Sequence, residues 1–260
     1  MRAIRSPESM PGTQTGHVSN SPRGPVISGC AVIWPANGAD SPTFAIRQEQ
    51  SYNQRMNGNV PKPLPLDAPL ILIDLQNAID HPSWGQRNNL EAERNVASLL
   101  RVWRATHRPV YHIRHDSSEP TSHYRPGQPG NHFKPEAQPV AGEIIIPKTT
   151  NSAFIGTDLE QLLRRANQTL LVMAGVITNN CVEATVRMAG NLGFNAWLVE
   201  DATFTFGRKD WRGVWRTADE VHAMSLANLD GEYCSVIRTD QILDALDSGE
   251  TNACPTIIDR

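Results

Sequence analysis

Cysteine is scarce in this chain. There are four in 260 residues, Cys30, Cys181, Cys234 and Cys254, and their spacing matches neither paired metal ligands nor a disulfide framework. That excludes a small disulfide-built scaffold and suits a reducing, cytoplasmic setting. Concentrated positive charge is also missing. The 24 Lys and Arg are interspersed with 27 Asp and Glu, for a net charge of −3, and no basic stripe argues for nucleic acid. No apolar run approaches the ~18 residues of a membrane-spanning helix, and no basic start leads into an apolar core as a secretory signal would. What remains is a chain long enough for one well-packed α/β domain.

The first 65 residues lack sustained periodicity and are rich in Ser, Pro, Gly and Asn. They read as a disordered extension. VISGCAVIW, residues 26–34, could form a lone strand, and Met56 is a natural alternative start for the domain that follows. The folded domain proper is expected over 66–247, with 248–260 as a tail. Inside it the elements alternate. Strands are predicted at 70–74, 109–113, 143–147, 169–176, 195–200 and 233–237, and helices near 90–106, 157–166, 180–192, 217–229 and 239–246. Such alternation implies a mostly parallel sheet covered by helices on both faces. The long, proline-punctuated loop from His115 to Val140 reads as a lid.

Residues 170–194 carry the most information. The apolar run Leu170–Ala174 reads as a buried parallel strand. Gly175 is expected to open a turn, with Thr178 or Asn179 as N-cap. Cys181, Ala184, Thr185, Met188, Ala189 and Leu192 then fall on one helical face that Gly193 ends. Cys181 therefore stands where a strand gives way to a helix. Unpaired N–H groups and the helix dipole there favour a thiolate, so a lowered thiol pKa is expected. Two more strands end in chemistry. APLILIDLQNAI (68–79) ends its apolar run at Asp74, and GEIIIPKTTNSAF (142–154) places Lys148 just past three isoleucines. In open parallel sheets functional groups gather at such carboxyl ends.

These segments, LILIDLQNAI, KTTNSAF from Lys148 and GVITNNCVEATVR from Gly175, with NLGF and EDA following, resemble the isochorismatase-like cysteine hydrolases. That family includes nicotinamidases, N-carbamoylsarcosine amidohydrolase, ureide and biuret hydrolases and streptothricin hydrolase. The resemblance covers roughly residues 66–247. It implies a six-stranded three-layer αβα sandwich, a catalytic Asp74, Lys148 and Cys181, a cis bond between Val176 and Ile177, and an oxyanion hole formed by the backbone N–H groups of Ile177 and Cys181. It implies no cofactor, and a homo-oligomer as the assembly.

A cysteine-centred site of this kind suits hydrolysis of an amide-type C–N bond (amide, ureide, carbamoyl or lactam) of a small molecule through a thioacyl intermediate. The runner-up readings are vinyl-ether hydrolysis of the isochorismatase type, against which Cys181 argues, and an idle binding module on the same fold. Gln76, Asn77, Trp84, Arg114, Asn151, Phe154 and Thr178 lie near the predicted strand ends and are candidates for the pocket wall. The loop 201–215 adds Phe204, Phe206, Trp211 and Trp215, for each of which core or subunit packing is the plainer reading; Phe206 is kept as a wall candidate. Nicotinamidase relatives bind a metal through Asp-x-His and a later His. In YHIRHDSSEPTSHY the residues His112, His115, Asp116 and His123 do not occur in that order, so no catalytic metal is expected.

Overall fold

Strand β1 (Leu70–Ile73) is buried at all four positions, as a strand inside a parallel sheet must be. Its alternation divides the core. Leu70 and Leu72 join one apolar cluster, Ile71 and Ile73 the other. The structure, a computed structural model, describes residues 64–247. The candidate strand at 26–34, Met56, Cys30, Cys254 and the tail lie outside the described residues.

After β1 come α1 (Ala92–Ala105), β2 (Val110–His115), β3 (Ile144–Lys148), α2 (Leu159–Arg165), β4 (Leu170–Val176), α3 (Glu183–Asn191) and β5 (Asn195–Phe204). A short hairpin, β6 (Arg208–Lys209) and β7 (Trp215–Arg216), leads to α4 (Ala218–Ala227), β8 (Ser235–Ile237) and α5 (Thr239–Asp247). The main sheet has the order β3-β2-β1-β4-β5-β8, and every pairing in it is parallel. An antiparallel pair of short strands, β6 with β7, stands apart from it.

Helix α1 buries Ala92, Val96, Leu99, Leu100 and Trp103, a single stripe at helical spacing. With Ile242 and Leu246 of α5 it covers the Leu70/Leu72 face. Leu159 and Leu163 of α2, Val186 and Ala189 of α3 and Leu226 of α4 cover the opposite face, completing three layers. Helix α4 opens with a reciprocal cap between Thr217 and Glu220. Among the described residues no helix is long and apolar enough to cross a membrane.

Three sequence expectations for this region are corrected. Gly175 does not open a turn; β4 runs through it to Val176. Neither Thr178 nor Asn179 caps a helix. Their side chains turn to His222 Nδ1 (2.9 Å) and Thr205 Oγ1 (2.5 Å). And α3 does not follow from a plain α-helical start. A π turn spans Thr178–Val182, with Val182 N donating to Ile177 O at 3.3 Å. The extra residue rotates the buried stripe onto Val182, Thr185, Val186 and Ala189, leaving Cys181 at its half-buried edge.

Two carboxylates tie the loops to this frame. Glu93 accepts from Arg87 (2.5 and 2.6 Å) and pairs with Lys134 at 2.9 Å. Glu143 accepts from Arg104 (2.7 and 2.9 Å), His112 and the Val140 N–H. Burial raises both pKa values, but these donors overcome it and hold each at about 2, against an ordinary 4.5. A depressed folded-state pKa gives stability that is present above the unfolded value and lost on acidification through the folded one. The melting temperature is therefore expected to fall between pH 4.5 and 2. In a Glu93→Gln, Glu143→Gln double variant, thermal scans across that window should show a shallower slope, from a lower starting point at pH 7. An unchanged slope would assign the acid lability to other groups.

Candidate active site

The strand order reverses between β1 and β4, from which the chain winds outward in both directions. At such a switch point the loops diverge and leave a crevice at the carboxyl ends. Asp74 follows β1, Lys148 ends β3, and Cys181 lies in the π turn after β4. The three are thus brought together by topology. Asp74 takes a positive φ of 54°, an uncommon backbone state for a residue other than glycine and one often found at functional sites. The Val176–Ile177 peptide bond is cis.

Lys148 is fully enclosed. Its Nζ donates to Asp74 Oδ2 at 2.7 Å, approaches His115 Nδ1 at 3.1 Å and donates to the Thr150 carbonyl at 3.1 Å. Three acceptors use all three of its hydrogens. The other Asp74 oxygen, Oδ1, is buried and has no hydrogen-bond partner. The Cys181 thiol lies near enough to lower the Asp74 pKa. Carboxylate, thiol and His115 imidazole each place an atom within 4.8 Å of the others. Cys181 Sγ also lies 3.8 Å from Asn151 Oδ1.

The electrostatics correct the expected thiolate. Burial, and next the Asp74 charge, push the Cys181 thiol well above its ordinary range, against the opposing pull of Lys148. Burial also raises Asp74, with Lys148 opposing. Two groups whose charged forms burial disfavours thus share one ammonium, and each opposes ionisation of the other. Burial and Lys148 together keep His115 below the usual imidazole range, so its Nδ1 is free to accept from Lys148. Cys234, by contrast, is packed in the core and raised to about 12 by burial and next by the Asp230 charge.

Above this cluster opens a cavity of about 380 Å³. Trp84 and Asn151, both predicted, line it along with Ile177. So do His115, Tyr124, Ser122 and Asn180, which were not predicted as site residues. Other candidates are placed elsewhere. Gln76 is completely buried and pins β1 to the long loop, bonding both the N–H and the carbonyl of His115 and the Asn131 carbonyl. Asn77 is exposed and donates to Pro129 O. Arg114 forks onto Asp116 at 2.8 Å twice. Phe154 crosses to the far layer and stacks on Phe194. Thr178 is buried against His222. Phe206 stands behind the wall, stacked on Trp84 at 5.5 Å. Trp211 and Trp215 are on the surface rather than in the core, 89% and 62% exposed.

The side chains weighed as metal ligands do not converge. His112 bonds Glu143, Asp116 bonds Arg114, and His123 stacks on His81 with centroids 3.6 Å apart. Among the described residues Asp74, His115 and Cys181 form a possible donor set, but Lys148 already occupies the first two, and its ammonium would repel a cation.

Known proteins share this arrangement of sequence and fold. The isochorismatase domain model matches residues 68–241. Isochorismatase family protein YrdC of Bacillus subtilis is 41% identical over 175 residues, covering 67% of this chain and 94% of that protein. A crystal structure of a hydrolase of the isochorismatase family from Chromobacterium violaceum is 60% identical, with a TM-score of 0.70, over 72% of this chain and 99% of that one. Nicotinamidase 3 of Arabidopsis thaliana is 27% identical over 192 residues, 69% of this chain and 88% of that protein.

Proposed function

We propose a cysteine amidohydrolase, starting from the family: the chain belongs to the isochorismatase family of hydrolases, whose domain it matches over residues 68–241. Nicotinamidase 3, among the relatives, carries an amidase name. The observation that carries the reading is the Lys148–Asp74 pair at 2.7 Å with the Cys181 sulfur within 4.8 Å of the carboxylate. A thiol beside a base is a nucleophile in waiting.

In the first half-reaction Asp74 removes the thiol proton as Sγ attacks the amide carbon. Negative charge moves onto the carbonyl oxygen, for which the backbone N–H groups of Ile177 and Cys181 serve as donors. Asp74 passes the proton to the nitrogen, the C–N bond breaks, and ammonia or an amine departs from a Cys181 thioester. In the second half Asp74 deprotonates water, the hydroxide displaces sulfur, and the acid leaves as the thiol regains its proton. Lys148 keeps Asp74 ionised as a base, and His115 positions Lys148. No step requires a metal.

The test is intact-mass analysis of acid-quenched reactions over a panel of small amides, ureides and lactams, with ammonia release measured in parallel. We expect an acyl adduct on Cys181, absent from Cys181→Ala, and turnover unaffected by excess chelator. Turnover without an adduct, or activity lost to chelator and restored by metal, would place the chemistry elsewhere.

A further inference from the structure

We infer that the active-site cavity accepts an uncharged amide and turns away molecules bearing a carboxylate or other anionic group; what reacts there rests on the amidohydrolase reading above. The residues lining the cavity include no arginine and no lysine. Above the Asp74 and Cys181 floor its polar groups are the hydroxyls of Ser83, Thr121, Ser122 and Tyr124, the carboxamides of Asn151 and Asn180, and the imidazoles of His115 and His123, none of them a fixed cation. Such a wall can hydrogen-bond an amide or a urea in full. It offers a carboxylate dipoles but no countercharge.

None of the cations on neighbouring segments lines the cavity. Arg114 is held bidentately by Asp116, Lys134 lies between Asp80 and Glu93, and Arg125 turns to the Pro120 carbonyl. Lys148 sits beneath the floor with each hydrogen taken. The floor itself presents the Asp74 carboxylate. Its charge is felt across the cavity, since it adds to burial in holding the Tyr124 phenol well above its ordinary range. A bound anion would lose its hydration and meet a like charge, so rejection arises from both terms.

Iodoacetamide and iodoacetate test this without any turnover. They have the same heavy-atom skeleton, and each forms an S–C bond to Cys181 Sγ as iodide leaves. One is a neutral amide and the other an anion. Alkylation rates at the Cys181 peptide of the full chain would be followed by mass spectrometry at pH 8.5, with 2-mercaptoethanol as reference thiol. We expect the iodoacetamide-to-iodoacetate ratio at Cys181 to exceed that of the reference by roughly 30-fold or more, about the penalty of one unpaired buried charge. Thr121→Arg, a change at an exposed position of the rim, should raise the iodoacetate rate at least about tenfold through a countercharge, and Thr121→Gln should not. A wild-type ratio equal to that of the reference thiol would overturn the inference whether or not any amide is hydrolysed. A ratio as expected with no amide turned over would sustain the selectivity and reject the amidohydrolase reading instead.

Discussion

Replacing Asp74 by asparagine is expected to cut turnover by about 1000-fold while making Cys181 easier to ionise. The two effects run in opposite directions because Asp74 does two things. As the base in the proposed mechanism it carries the proton from sulfur to the leaving nitrogen and then activates water. An amide side chain can do neither. As a charge, it is the second cause, after burial, that raises the Cys181 pKa. With that charge gone, the Lys148 ammonium loses its partner at 2.7 Å and is left facing the thiol, which it stabilises as thiolate. The pH midpoint of Cys181 alkylation by iodoacetamide should therefore move down in Asp74→Asn even as amide hydrolysis disappears. If alkylation and turnover fall together, with no shift in midpoint, Asp74 is not what keeps the sulfur protonated. Lys148→Ala should give the reverse shift, since it removes the one group nearby that favours the thiolate.

The placement of Cys181 beside Asp74 and Lys148 is legible in the sequence, but its charge state is not. The change of period at Cys181 and the strand ends at Asp74 and Lys148 are local patterns, and parallel topology does the rest. A pKa depends on every neighbour in space. A helix start argues for a thiolate, but a buried carboxylate from another strand overrides it, and the π turn that sets the sulfur at the edge of the apolar stripe leaves no signature in residue spacing. Pocket walls failed for a similar reason. Proximity to a strand end does not say which way a side chain turns, so Arg114 and Phe154 were grouped with Trp84 and Asn151 although they point to a neighbouring carboxylate and to the far layer. His115 was recoverable. It ends β2 in register with Lys148 at the end of β3, and aligning the ends of those two strands would have placed it beside the triad. Tyr124 and Ser122 come from a loop whose path is fixed by Asn131, which donates to the Tyr124 and His115 carbonyls; no periodicity announces that kind of tie.

Gly175→Ala is expected to be the most damaging single-methyl change in the domain. Gly175 pairs with Ile73 at the centre of the sheet, where the strand order reverses, and has φ of +124°, a region that side chains avoid. An added Cβ would fall 2.6 Å from the Ile73 nitrogen and closer still to its carbonyl oxygen. These are backbone atoms of a central strand, so no rotamer change can relieve the clash. Strands β1 and β4 would have to separate. A steric and backbone penalty of this kind is on the order of 4 kcal/mol or more. For a domain of this size that is a fall in melting temperature of roughly 10 °C, or loss of soluble protein. The chemistry should suffer further than the stability, because Ile73 carries Asp74 and β4 carries Cys181. Moving those strands apart opens the distance between base and nucleophile, and an error of about 1 Å there can cost 100-fold in rate. Gly193→Ala is the control. Its φ is also positive, +81°, but nothing lies within 4 Å of the added carbon, so only backbone strain of about 1 kcal/mol applies. Thermal unfolding and turnover of both variants separate the two costs. If Gly175→Ala melted within two degrees or so of Gly193→Ala, β1 and β4 would not be in the close contact that brings Asp74 to Cys181.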